Sequence, residues 1–177
     1  MTVHRIYRRT IENPARIHAY DRRMAAIHEA GHALMAVHLG YAADAWIYPR
    51  NEENTLELKT WVGHVCIHGG ASRPHNRLIA VAGMVAEIIW KNGHHEDYAH
   101  AYGWEDYLLD GDAMSFSDWR LADCSPGEPD DDLHEVTAEV GALFMSDLWP
   151  ALTDISRVLM SDSDSIFTFG EVVARAA

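Results

Sequence analysis

Two histidines four residues apart, with a glutamate beside the first, make the pattern His28-Glu29-Ala30-Gly31-His32. On an α-helix, residues i and i+4 stack on one face, so both imidazoles can address a single divalent ion. Zinc takes imidazole nitrogen at about 2.0–2.1 Å. H-E-x-x-H on a helix is a zinc-hydrolase signature because the glutamate, one step round the helix, reaches a water beside the metal. With its pKa lowered toward roughly 7, that water can give up a proton at neutral pH. The chemistry expected is therefore metal-assisted hydrolysis, with His28 and His32 as Zn²⁺ ligands and Glu29 as general base. A catalytic zinc has three protein ligands, so one more His, Glu or Asp must come from elsewhere. The competing reading of the same five residues is a core helix with two hydrogen-bonded histidines.

The pentapeptide lies in an apolar helix-forming run from Asp21 to Leu39, with Asp21 as N-cap and Gly40 as stop. Met24, Ile27, Gly31, Leu34 and His38 recur at helical spacing. Gly31 costs about 1 kcal/mol relative to Ala in a helix, which implies a close neighbour. Residues 1–20 read as an arm or short first helix, interrupted at Pro14. Ala45 to Arg50 is a short β-prone run that Pro49 ends or confines to an edge. Asn51 to Asn54 is a polar turn, and Leu56 to Ile67 reads as one strand or two, stopped by Gly69-Gly70. His64, Cys66 and His68 share one face of that strand. Spaced about 6.8 Å apart along it, they are poorly placed to close on one ion and should line a cleft or meet solvent.

Pro74 starts a second helix, apolar nearly all round, that runs through Trp90 and stops by Gly93. Glu87 is its exception, either at an exposed edge or accepting the outer N–H of a ligand histidine. Residues 92–114 form a long connection rich in His, Asp and Glu, either covering the site or lying solvated. Another helix begins with Ser115 or Ser117 as N-cap. An amphipathic segment runs from Asp131 to Trp149, Pro150 starts one to about Met160, and Thr168 caps a last short helix through Arg175. The expected fold is mainly α with a small β element (α+β), one domain over residues 1–177 with a helical C-terminal half.

The chain's 177 residues, 48% of them hydrophobic and six of them Trp, suffice for a sizeable core. A formal net charge of −13 argues against nucleic acid and anionic membrane surfaces as partners. No apolar run approaches the roughly 20 residues that span a bilayer, and the basic N-terminus lacks the apolar stretch of a secretory signal. Cys66 and Cys124 imply no disulfide framework, so a reducing cytoplasm is the expected location. There is no phosphate-binding G-x-x-x-x-G-K-[ST] loop.

In its HEAGH motif, followed by Ala33-Leu34, the chain resembles the zinc peptidase domain of the FtsH family of ATP-dependent membrane proteases. Trp46-Ile47-Tyr48-Pro49-Arg50 is similar to that family's strand ending in Pro-Arg. Val62-Gly63-His64 is similar to its short edge strand, and Ala82-Gly83-Met84-Val85-Ala86-Glu87-Ile88-Ile89 to its small-residue helix. The likeness covers roughly residues 20–170 in consistent order. It implies a mostly helical domain with a zinc site completed by an Asp at the start of a helix, here Asp118 with Ala122 four residues on. Asp118 also fits an ordinary first-turn acid stabilised by the helix dipole, and Asp112 is the nearest substitute as ligand. The family's ATPase module and membrane anchor have no counterpart here, and the connection between Glu87 and Asp118 looks longer than the family's.

These readings converge on an ATP-independent zinc metalloendopeptidase. Its expected partner is a peptide or unfolded protein segment, added by backbone hydrogen bonding to the edge strand at Val62, Gly63, His64 and Val65. The alternative is a catalytically silent, zinc-binding interaction module of the same fold. The sequence leaves the substrate's identity, the cleavage preference and the oligomeric state open.

Overall fold

The structure, a computed structural model, describes residues 14–50, 59–93, 104–162 and 165–170. It is mostly helical with one small antiparallel sheet, as the sequence implies. The expected polar turn at 51–54, the start of the strand at Leu56, most of the His-rich connection and the end of the chain lie outside the described residues.

Helix α1 spans Pro14–His38 and carries the HEAGH pentapeptide in its second half. It starts seven residues before the predicted N-cap, since proline is tolerated in a first helical turn, where its missing N–H has no partner anyway. Asp21 is therefore inside the helix, and its carboxylate accepts from the Thr60 N–H at 2.7 Å and from Thr60 Oγ at 2.9 Å. The stop falls where predicted. Gly40 adopts φ +89°, with Gly40 N–H bonded to Val37 O and Tyr41 N–H to Ala36 O, the paired bonds of a glycine C-terminal cap. The predicted apolar stripe is a full cylinder between Met24 and Ala36, because neighbours pack all around it; His38, assigned to that stripe, is exposed.

Strands β1 (Ala43–Pro49) and β2 (Trp61–Ile67) pair antiparallel along their whole length. A third strand, β3 (Phe167–Phe169), pairs with Ala43–Ala45 on the other side, giving the order β2-β1-β3. The helix expected to start at Thr168 is thus a strand. Phe167 and Phe169 turn toward the core, while Thr168 faces out and donates to Asp44 at 2.6 Å, a period-two pattern that suits a sheet. Pro49 ends the central strand beyond the reach of β3, where its lack of an N–H costs no ladder bond.

Helix α2 (Arg73–Lys91) lies against α1, with Pro74 in its first turn as the sequence indicates. Short helices α3 (Trp104–Leu108) and α4 (Phe116–Leu121) follow, so the long connection is not wholly irregular. Helices α5 (Asp131–Met145) and α6 (Trp149–Ser161) divide what reads in sequence as one segment to Trp149, the break falling at residues 146–148. The sheet, α2 and α6 all pack on α1, and α5 packs on α2. Ile27, Met35, Val85, Trp119, Phe144 and Leu152 fill the core around them.

Candidate metal centre

The one-turn spacing of His28 and His32 does bring their rings together, centroids 4.7 Å apart and nearly perpendicular. Their Nε2 atoms lie 3.0 Å from each other. A third side chain arrives from α4. Asp118 Oδ2 is 3.4 Å from His28 Nε2, and Oδ1 is 3.5 Å from His32 Nε2. Among the described residues this trio is the one set of three or more His, Cys, Asp or Glu side chains whose donor atoms lie within 4.8 Å of one another.

Each ring is held by its other nitrogen. His32 Nδ1–H donates to the Ile79 carbonyl at 2.6 Å, and His28 Nδ1–H donates to Glu87 Oε1 at 2.9 Å. A carbonyl can only accept, so Nδ1 of His32 carries the proton, and its neutral ring turns the Nε2 lone pair inward. Two inward lone pairs 3.0 Å apart beside a carboxylate repel unless a cation lies between them. Burial opposes charge on His28, yet its bonds to Asp118 and Glu87 prevail and raise its pKa to about 10. Burial likewise pushes the Glu87 and Asp118 carboxyls up, but the histidines hold both well below the usual carboxylate range. Lys91 Nζ, 2.8 Å from Glu87 Oε2, adds to the effect on Glu87. Of the two placements open to Glu87, it therefore takes the one against His28.

Asp118 stands where both readings of it converge, beside the two histidines and in the first turn of a helix. It is the third residue of α4 and completes a capping box with Ser115: the Asp118 N–H donates to Ser115 Oγ at 3.2 Å and the Ser115 N–H to Asp118 Oδ2 at 3.2 Å, while Ser115 Oγ also donates to that oxygen at 2.7 Å. The cap fixes the carboxylate that faces the histidines. Ser115, not Ser117, is the N-cap. Asp112, the predicted substitute, is exposed in the preceding turn and is not part of the trio.

Glu29, 7% exposed, is buried beside the trio. Burial raises its pKa against the pull of His28 and His32. The room it occupies is made by Gly63 of β2, where an added Cβ would stand 2.2 Å from Glu29 Cγ and 2.7 Å from Oε1. Gly83 of α2 does the same for the rings: a Cβ there would meet His32 Nε2 at 2.4 Å and His28 Nε2 at 2.8 Å. Gly31, where a close neighbour was expected, lies against α2, its added Cβ only 2.5 Å from the Ala82 carbonyl oxygen.

The histidines and cysteine of the β2 face stay apart from this cluster. His64, Cys66 and His68 are exposed on the outer face of the sheet. His64 packs edge-on against Trp46 and His68 pairs with Asp44 at 3.0 Å. Val62 to Val65 lie on β2, which has no strand partner on its outer side among the described residues. The Ile79 carbonyl and the steric role of Gly83 were not read from the sequence. A glycine inside a helix was a usable signal for the second; a main-chain carbonyl gives none.

The donor set fits zinc: two imidazole nitrogens and a carboxylate, with outer N–H groups anchored and a hollow that a Cβ at position 83 would fill. No model of a known protein family matches the chain, and no curated protein matches it either.

Proposed function

We propose that the protein is a zinc-dependent metallopeptidase in which His28, His32 and Asp118 hold the metal and Glu29 is the general base. The observation that carries this reading is the convergence of three donor groups from α1 and α4, with the buried carboxylate of Glu29 beside them. Three protein donors suit a catalytic zinc, whereas structural zinc sites are closed by four. When bound, zinc would acidify a water and polarise a carbonyl oxygen.

The chain's own residues supply the rest. Glu29 takes a proton from the attacking water and returns it to the leaving amine, a task for which a buried carboxyl of raised pKa is suited. Glu87 and the Ile79 carbonyl keep the two rings in the tautomer that points Nε2 inward. A peptide is the favoured substrate because β2 is an edge strand among the described residues, where an extended segment can add by backbone hydrogen bonding, and Gly63 on that strand touches Glu29. The likeness of the HEAGH run to FtsH-type peptidases agrees with this proposal, which rests on geometry.

Metal analysis of the purified protein is expected to find one zinc per chain, and its removal by a chelator to abolish peptide hydrolysis. Glu29→Gln is expected to retain the zinc and lose hydrolysis by a factor of at least about 10². Undiminished turnover in the metal-loaded variant would sink the assignment of Glu29. Zinc bound by a wild-type chain that cleaves no peptide would favour the silent interaction module instead.

A further inference from the structure

Gly63 sits in the middle of β2, where glycine weakens a strand. It is not among the described glycines with positive φ, so the backbone conformation does not demand it. What does demand it is Glu29, whose Cγ, Cδ and Oε1 would all lie within 2.8 Å of a Cβ at position 63. The strand has little freedom to retreat. Gly63 pairs with Ile47 of the central strand, which is fully buried, and α1 packs directly on β2. Trp61, two residues earlier on the same face, is also buried, and its indole N–H is held by the His18 ring.

We propose that Gly63 is a positioning residue for Glu29: the bare backbone of β2 is the surface on which the Glu29 side chain rests. This rests on the peptidase reading and deepens it, because the strand that would receive the substrate then also sets the reach of the base. Seating a peptide along β2 and aligning Glu29 become consequences of the same backbone position. The scissile bond is held relative to the strand, and the base is held relative to the strand as well.

The test uses the zinc-loaded full chain with Gly63→Ala, Glu29→Ala and the double variant, and Cys66→Ala on the outer face of the same strand as control. Gly63→Ala is expected to keep wild-type zinc affinity by chelator competition while kcat falls on the order of 10²-fold and KM moves less than about threefold. Melting temperature gives a readout independent of catalysis. If the added methyl collides with Glu29, truncating Glu29 restores most of the Tm that Gly63→Ala loses. Equal Tm losses on both backgrounds, or zinc affinity falling in step with kcat, would overturn the proposal. Should Gly63→Ala fail to fold, folding of the double variant supports the contact, and its failure to fold overturns it. A wild-type chain that hydrolyses no peptide overturns the peptidase reading instead, and the Tm cycle still decides whether Glu29 rests on Gly63.

Discussion

His28 is held between two carboxylates, Glu87 on Nδ1 and Asp118 near Nε2, and this explains both its affinity for a proton and its suitability for a metal. Replacing Glu87 by Gln keeps the shape but weakens the charge that orients the ring. Zinc affinity should then fall about 10–100-fold in chelator competition; an unchanged affinity would mean that the ring is positioned by packing alone. The same contacts make the metal-free fold pH-sensitive. The pKa of His28 in the fold lies above its ordinary 6.5, so its proton stabilises the metal-free protein below that pH, and this contribution is lost as pH rises toward about 10. Asp118 and Glu87 run the other way. Their depressed pKa values give stability that is present above the ordinary carboxylate range and lost on acidification. Urea midpoints of chelator-treated protein are expected to fall between about pH 6.5 and pH 10, and zinc, which takes the place of the proton, to remove that decline. A flat alkaline limb without metal would contradict the placing of His28 between the two acids.

At the scale of elements, small residues decide how closely the two central helices and the sheet approach. Gly31 and Gly83 both lie at the α1–α2 contact, yet their loss should be read out differently. A methyl at position 31 meets backbone of α2 and forces the helices apart, so Gly31→Ala is expected to destabilise the fold by roughly 1–3 kcal/mol in urea denaturation. A methyl at position 83 meets the His28 and His32 nitrogens, so Gly83→Ala is expected to lose zinc more completely than it loses stability. Equal metal loss in the two variants would show that helix spacing alone governs the site. Helix α4 adds the third donor through its cap, which links the order of the preceding turn to the position of Asp118. Trp119, fully buried and donating to the Gly111 carbonyl at 3.0 Å, anchors that helix next to Asp118.

For the whole molecule, a net charge of −13 sets the long-range field. Cationic peptides should be drawn in and anionic ones repelled, so KM for a Lys/Arg-rich substrate is expected to rise with ionic strength while that of a neutral analogue stays level. A salt-independent KM for the basic peptide would limit recognition to short-range contacts. No helix among the described residues is long and apolar enough to cross a membrane. Among the described residues β2 lies at an edge of the sheet, with Glu29 against its inner face.

Local signals were enough for several features that depend on neighbours in the chain. The 3.6-residue period put His28 and His32 on one face, Gly40 and Pro74 marked helix ends, and Gly31 announced a close contact. Where the outcome depends on partners distant in sequence, those signals fell short. Thr168 reads as a helix cap until Ala43–Ala45 offer it a strand to pair with, and Asp21 reads as a cap until Thr60 takes its carboxylate. Asp118 could be read as a ligand only by likeness to a family, because 86 residues separate it from His32 and no periodicity spans that distance. Packing of α4 against α2 closes the gap, since side chains converge through space while sequence patterns report only along the chain.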